Sequence, residues 1–311
     1  MTSTSNDITV GVAAPIPAGA DPASAAAVLD DIAAAGVDHL VVGDHVTFFG
    51  GFGIDGLVHA TSLLSLHPTL AVHTSVYLLP LRHPVLVARQ VATLSSIAPG
   101  RLVLGVGIGG EDPQEIRACG VDPSTRGRRM DECMIVLDQL QTGAAVTFHG
   151  EHFHLDRVAV HPPPSPAIPL VVGGRSDAAV RRAGRLGAGW LGIWVSPRRF
   201  TEAVHLAESV AAAAGRPAIP WRHGMTVWCG LGDDHADATA AVAPVMEAIY
   251  GLPFSKFERY VPRGTPAQVA DALRDYVDAG CRTFNLLAQS RDRTRIPDAV
   301  GEVRQRLSAA N

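Results

Sequence analysis

The sequence predicts an α/β fold and, within that class, a (β/α)8 TIM barrel formed by residues 1–311 as a single domain. Short runs of Val, Ile and Leu alternate with longer segments of helical period, and the alternation continues to the C-terminal part of the chain. This alternation is typical of repeated βα units around a parallel sheet. Of the 311 residues, 47% are apolar, which is enough to bury a large core, and α/β barrels of this length commonly form one domain.

Eight apolar runs are candidate strands. They are nearly continuous, as in Leu40–Val42 and Leu102–Leu104, which is expected of strands that are covered on both faces. Eight such strands predict a closed barrel. The candidates are Ile8–Ala14, His39–Gly43, Thr69–Val76, Leu102–Gly107, Ile168–Val172, Trp190–Trp194, Arg222–Gly230 and Thr283–Ala288.

The helices between these strands carry recognisable ends. Asp21 is placed to cap the first helix, with Pro22 as its first residue and Gly36 after its end. Thr265-Pro266 opens a later helix in the same manner, and Gly280 follows it. These residues are expected to be structural.

Two segments exceed a minimal βα repeat. Residues Ala144 to Ala167 predict a β-hairpin, with strands Val146–His149 and His152–Leu155, followed by a proline-rich run. Residues Asp233 to Arg263 are partly helical and rich in aromatic side chains. Long loops in barrels tend to cover the active site, so we expect these insertion segments at the C-terminal face.

The composition limits which classes of partner and which cellular compartment we expect for this protein. The net charge is -4, with acids and bases scattered along the chain, which predicts a small-molecule partner and neither nucleic acid nor an anionic membrane. The four cysteines form no C-x-x-C pair, which favours a reducing, cytoplasmic setting. The segment Met1–Asp7 is polar, and no run reaches about 18 apolar residues, so neither secretion nor membrane insertion is expected.

The reactive residues of such a barrel come from the carboxyl ends of the strands. Asp44 and His45 follow the second candidate strand. A histidine can transfer protons near neutral pH, and Asp44 could orient the ring or hydrogen-bond a cofactor. The alternative is that His45 is an ordinary loop or cap residue.

The sequence Gly173-Gly174-Arg175-Ser176 leads from a strand directly into a helix. Backbone N–H groups at a helix N-terminus favour an anion, and Arg175 could add a bidentate contact. This pattern predicts a phosphate site, although two glycines are also compatible with a simple tight turn.

The run Gly105–Gly110 matches G-x-G-x-x-G, the fingerprint of a Rossmann dinucleotide site. It follows the fourth candidate strand rather than the first, and no strand ends in an acidic residue about 20 positions later. A nicotinamide dehydrogenase is therefore the weaker alternative. In a barrel, the same glycines would let a flat ring or a phosphate chain approach the backbone.

The sequence HGEHFH holds His149, His152 and His154. It has no recognised metal-ligand spacing such as H-E-x-x-H. A solvated hairpin is the favoured interpretation, and no metal site is predicted.

Several of these motifs together resemble the luciferase-like monooxygenase superfamily. The resemblance extends from the first strand to the helix after Thr265, over most of the chain. The motifs are specific in combination and weak singly. They are Leu81-Arg82-His83-Pro84, Ala92-Thr93-Leu94, Gly100-Arg101-Leu102, Arg128-Arg129-Met130-Asp131-Glu132, the hairpin FHGEHFHL, the strand IPLVVGGRS and the Gly187–Trp190 sequence GAGW.

The resemblance implies a barrel that binds FMN or coenzyme F420 in its mouth, and a homodimer. Asp44-His45 looks like the pair of F420-dependent members, in which the histidine acts as acid or base and the aspartate contacts the deazaflavin ring. Ser75-Val76 matches a position that often carries a non-prolyl cis peptide supporting the ring. The resemblance also implies that the cofactor tail and phosphate contact Gly107, Gly109, Gly173, Gly174 and Arg175.

Two positions depart from the pattern. Phe48 and Phe49 stand where some members have a tryptophan. Glu111 lies near a carboxylate that acts as an acid in some sugar-oxidising members, but Gly110 is an extra glycine that shifts the register. Glu111 is therefore a second candidate catalytic residue, in addition to His45. These departures leave the substrate class undetermined.

The function expected from these observations is an F420-dependent oxidoreductase that transfers a hydride between the deazaflavin and a small organic substrate. The alternative within the family is an FMN-dependent monooxygenase that works with a separate flavin reductase. A third possibility is a non-catalytic relative that only binds a flavin, and the intact Asp44-His45 pair argues against it.

Overall fold

The computed structural model describes residues 7–110 and 112–309, and Glu111 lies outside this part. Eight parallel strands form a closed barrel in chain order, because the first strand pairs with the last and every other strand pairs with its sequence neighbours. The strands are β1 Thr9–Val12, β2 His39–Val42, β3 Ala71–Thr74, β4 Leu102–Val106, β5 Leu170–Gly173, β6 Gly189–Ile193, β7 Gly224–Leu231 and β8 Thr283–Gln289. The predicted TIM barrel is confirmed.

Helices surround the barrel. They are α1 Pro22–Ala34, α2 Gly56–Leu66, α3 Pro84–Ile97, α4 Pro113–Ala118, α5 Arg126–Leu140, α6 Asp177–Leu186, α7 Pro197–Ala213, α8 His235–Tyr250, α9 Pro266–Asp278 and α10 Ile296–Ser308. Among the described residues, no helix combines the length and the apolarity that a membrane crossing would need.

The sequence located all eight strands to within two residues at each end. The predicted helix ends are also confirmed. Asp21 accepts the amides of Ala23 and Ser24 at the start of α1, and Thr265 forms a capping box with Gln268 at the start of α9. The apolar runs are recognisable because strand residues of this barrel are buried on both faces.

The first insertion forms a hairpin, but its second strand differs from the prediction. The strand runs over His154–Val158 rather than His152–Leu155, and it pairs with Val146–His149. The reason is Glu132 of α5, whose carboxylate accepts the backbone amides of residues 151, 152 and 153. These three residues therefore form the turn, and the hairpin lies against the outside of α5.

Two stacked histidines lie inside the barrel. The His39 and His73 rings have centroids 3.6 Å apart, and His39 Nε2 lies 2.7 Å from Asn285 Oδ1. Burial lowers the pKa of His39 to about 4. Burial also lowers the pKa of His223, at the amino end of β7, to about 4. These rings are neutral in the folded protein at neutral pH.

We expect the free energy of unfolding to fall on acidification because of these histidines. Their pKa values in the folded protein lie below the unfolded value of about 6.5, so the unfolded chain binds more protons. Their contribution is complete above about pH 6.5 and is lost as the pH falls towards 4. Each histidine should contribute a slope of about 1.4 kcal/mol per pH unit, measured by urea denaturation between about pH 6 and 5.

In the variant His39→Gln, the number of protons taken up on unfolding should fall by about one. The slope should therefore fall by about 1.4 kcal/mol per pH unit. Removal of the exposed histidine in His205→Ala should leave it unchanged. An equal slope in the wild type and in His39→Gln would contradict the assignment.

Candidate active site

A cavity of about 750 Å³ opens at the carboxyl ends of the strands. Its wall comes from the loops after β2, β3, β4, β5 and β6, from side chains of β6, β7 and β8, and from residues of α5, α6 and α8. The structure brings the predicted site residues within the described ranges together around this one cavity. These are Asp44, His45, Ser75, Val76, Gly107, Gly109, Gly173, Gly174 and Arg175.

His45 begins a short strand after β2, His45–Phe48, which pairs with Phe52–Ile54. Its ring stacks on Phe48, with centroids 4.0 Å apart. Its Nδ1 lies 3.1 Å from the carboxylate of Glu115, and the side chain is 32% exposed. With Nδ1 directed to a carboxylate, Nε2 is the ring nitrogen left for a ligand.

Glu115 is the residue that holds this histidine. Its side chain is buried, and besides His45 its carboxylate accepts the amides of Val46 and Thr47, at 2.6 and 3.2 Å. Asp112, which caps α4, accepts the amide of Phe49 at 2.9 Å. The loop after β2 is thereby fastened to the first turn of α4.

Sequence reasoning missed Glu115. Its own acidic candidate, Glu111, lies outside the described residues and stays a prediction. A local signal existed, because Asp112-Pro113 has the form of a helix cap followed by a first-turn proline, which places Glu115 in the first turn of a helix. Nothing in the sequence indicates that this turn lies beside His45, since 70 residues separate the two side chains.

Asp44 is fully engaged by protein groups. Both of its oxygens pair with the guanidinium of Arg82, at 2.6 and 2.8 Å. The same oxygens accept the amides of Gly56 and Leu78. Asp44 lines the cavity, but it does not orient His45 as one of our hypotheses suggested. Because Asp44 accepts four hydrogen bonds from these groups, it holds the loops after β2 and β3 together.

Val76 forms a ridge in the cavity wall, and two glycines make room for it. The Ser75–Val76 peptide is cis, in agreement with the resemblance. A β-carbon at Gly107 would lie 2.3 Å from one Val76 methyl, and one at Gly173 would lie 2.6 Å from the other. These glycines are required by close packing, because a β-carbon at either position would overlap the Val76 side chain.

Two guanidinium groups at the cavity have no acidic partner among the described residues. Arg175 follows β5, and its Cζ lies 5.4 Å from the centre of the Trp194 ring. Arg126 opens α5 and lines the same cavity. Its Nε is buried and has no hydrogen-bond partner in the described part of the chain. The two cations would suit an anionic ligand group.

The two insertions differ in what they contribute to the cavity. The hairpin segment of residues 144–167 supplies none of the lining residues, because it lies on the outside of α5. The segment of residues 233–263 supplies Ile249 and Tyr250 from the end of α8. Only the second insertion therefore reaches the predicted site.

Comparison with known proteins agrees with this architecture. Residues 3–262 match the family described as luciferase-like monooxygenase. The chain belongs to the luciferase-like monooxygenase family. Its Arg128–Glu132 motif is accounted for by structure, since Asp131 pairs with Arg182 and Glu132 holds the hairpin turn.

Some relatives in the luciferase-like family are uncharacterised, and others are named as F420-dependent enzymes. An uncharacterised protein of Mycobacterium tuberculosis is 37% identical over 138 residues, which cover 44% of this chain and 47% of that protein. The chain thus aligns with about half the length of this relative. An F420-dependent glucose-6-phosphate dehydrogenase of Kineococcus radiotolerans is 28% identical over 294 residues, which cover 84% and 85% of the two chains.

The barrel also resembles a solved structure of an F420-dependent secondary alcohol dehydrogenase in complex with an F420-acetone adduct. The TM-score is 0.83, with 97% of this chain and 99% of that chain covered. The sequence identity is 20%, so the likeness establishes the fold alone.

We expect Arg82→Met to destabilise the protein by about 3 kcal/mol, because it leaves the Asp44 carboxylate buried without its cation. Asp44 is completely buried and Arg82 is 16% exposed, so solvent does little to compensate. Chemical denaturation would measure the loss.

The matched control is Arg306→Met, which removes an exposed pair with Glu302 and should cost less than about 0.5 kcal/mol. Equal stability losses in the two variants would show that the Asp44–Arg82 pair is not a support of the site.

Proposed function

We propose that this protein is an F420-dependent oxidoreductase that transfers a hydride between the deazaflavin and a small organic substrate. The observation that carries the proposal is the position of His45, held by Glu115 with Nε2 available, in a cavity walled by glycines and by two guanidinium groups that have no acidic partner among the described residues. Support for the cofactor comes from the relative named F420-dependent glucose-6-phosphate dehydrogenase that aligns with 84% of the chain.

The residues present fit such a cofactor. Val76, packed between Gly107 and Gly173 in the cavity wall, would support a ring system. The amides of Arg175 and Ser176 make no hydrogen bond within the described part of the chain, and they precede the N-terminus of α6. Together with Arg126 and Arg175, they would hold a phosphate group. When bound, the deazaflavin supplies a two-electron hydride acceptor or donor.

His45 would manage the proton that accompanies the hydride. In the oxidative direction, Nε2 accepts the proton of a substrate hydroxyl, and the ring becomes an imidazolium. The Glu115 carboxylate stabilises that charge through Nδ1, while Val46 and Thr47 keep the carboxylate in place. In the reductive direction, the same nitrogen returns the proton to the carbonyl oxygen. Phe48 fixes the plane of the ring by stacking.

The cofactor is tested by titrating the purified protein with F420 and, separately, with FMN. We expect F420 to bind at least about tenfold more tightly, a difference of about 1.4 kcal/mol. Calorimetry measures both affinities without turnover. Tight binding of FMN alone, with activity that requires a flavin reductase and oxygen, would instead establish the monooxygenase alternative.

The role of His45 is tested by His45→Ala. Loss of a general acid or base should lower kcat by about 10²–10⁴-fold, while F420 affinity stays within about threefold, since the proposed cofactor contacts are unchanged. Rapid-mixing kinetics and calorimetry give the two values.

His235→Ala is the matched control, because His235 is exposed at the start of α8. Unchanged turnover in His45→Ala would remove the role assigned to His45. Binding of F420 without turnover of any substrate by the wild type would favour the non-catalytic alternative.

A further inference from the structure

A small cavity lies inside the barrel, on the amino-terminal side of the active-site cavity that His45 lines. We call it the inner cavity. Along β3, β8 and the segment that enters β7, its lining residues precede those of the active-site cavity, and Leu191 lines both spaces. Its volume is about 20 Å³, which is enough for one water molecule or one ion of similar size. Its polar lining residues are His73, Thr74, Arg222, Thr283 and Asn285.

The barrel interior beside the inner cavity is polar. Branched apolar side chains usually fill the interior of a barrel of this kind. Here the stacked rings of His39 and His73 lie beside Asn285, whose carboxamide oxygen is 2.7 Å from His39 Nε2. His39 and Asn285 are 1% and 2% exposed. Because buried polar groups are costly without partners, an open space next to them indicates a polar occupant.

Asn285 offers such an occupant a hydrogen-bond donor. Its oxygen is directed at His39, whereas its Nδ2 makes no hydrogen bond with any residue that the structure describes. The two ends of a carboxamide point in different directions, so Nδ2 is the end left to face the inner cavity. Nearly all buried donors in folded proteins have a partner. The partner of Nδ2 is therefore expected in the inner cavity.

The inner cavity is also electropositive. Arg222 precedes β7 and has no acidic partner among the described residues. Burial lowers the pKa of His73, and the neighbouring His39 and Arg222 lower it further, so an uncharged ring stands near the guanidinium. Within the described ranges, no carboxylate lines this cavity. A guanidinium and an unused amide donor without a carboxylate favour an anion.

We propose that the inner cavity binds one small monovalent anion of about the size of chloride. Asn285 Nδ2 and the Arg222 guanidinium would donate hydrogen bonds to it. Phosphate and sulfate are too large for a space of about 20 Å³. Because Arg222 is exposed to solvent, an ion has a short path from the amino end of the barrel. The anion would join β8 to the start of β7 beneath the active site, and this inference is independent of the proposed reaction.

The first test is urea denaturation in sodium chloride and, separately, in sodium gluconate, each at about 0.1 M. Gluconate keeps the ionic strength equal, and its anion does not fit the inner cavity. We expect the folding equilibrium constant to be about tenfold greater in chloride, which corresponds to a Kd of about 10 mM. A difference of less than about twofold would overturn the inference.

Arg222→Met removes the positive charge and should reduce the effect of chloride to less than about twofold. The matched control is Arg198→Met, because Arg198 is 90% exposed, pairs with Glu202 and lines neither cavity. This control should keep the full effect. A chloride effect of equal size in Arg222→Met and in the wild type would show that the ion binds elsewhere.

Asn285→Asp tests the amide donor. The new carboxylate keeps an oxygen for His39, but it replaces the donor by a negative charge, which repels an anion. The effect of chloride should disappear in this variant, and its persistence would contradict the assignment. The variant also tests the inference if Arg222→Met does not fold.

The position of the ion is tested with crystals of the wild-type protein grown in sodium bromide. Bromide scatters anomalously, and we expect one anomalous peak in the inner cavity, next to Asn285. Density without an anomalous signal would identify a water molecule and overturn the inference. So would a bromide peak without any effect of chloride on unfolding, because it would show binding at crystal concentration only.

Discussion

The buried pair of Asp44 and Arg82 is the interaction on which the site depends. Arg82 follows the loop after β3, and Asp44 follows β2, so the pair joins two neighbouring strands at their carboxyl ends. Asp44 also accepts the first amide of α2 and the amide of Leu78. These charges can be buried because each carboxylate oxygen of Asp44 accepts two hydrogen bonds, which offset the loss of solvation. The ion pair therefore fixes the loops that carry His45 and Val76, whereas Glu115 holds the ring of His45.

The two buried carboxylates of this region, Asp44 and Glu115, have different structural roles. Asp44 supports the backbone, whereas Glu115 holds the ring of His45 and the loop that carries it. The cavity has a similar division. One side is backbone, glycine and guanidinium, which would suit a phosphate-bearing cofactor, and the other side is aromatic. Trp194 and Arg175 stand at the boundary between the two sides.

Most of the fold was predictable because its signals are local. A strand covered on both faces has to be apolar along its length, and helix ends require particular caps, so eight strands and several helix ends could be located from the residues alone. The site residues in the described ranges were predictable for a related reason. All strand carboxyl ends of a closed barrel meet on one face, so Asp44, His45, Val76, Gly107 and Gly173 had to converge.

The sequence by itself determined the barrel, its reactive face and the residues at the strand ends. Only the tertiary structure decided which side chains are partners. Glu115, rather than Asp44, holds His45, and Arg82 takes up Asp44. Arg126 joins the cavity from the start of α5, and Trp194 lines the cavity with a buried Nε1 that has no partner in the part of the chain that the structure describes. The physical reason is that a local pattern fixes the conformation of a segment, whereas hydrogen bonds between loops depend on how distant segments pack.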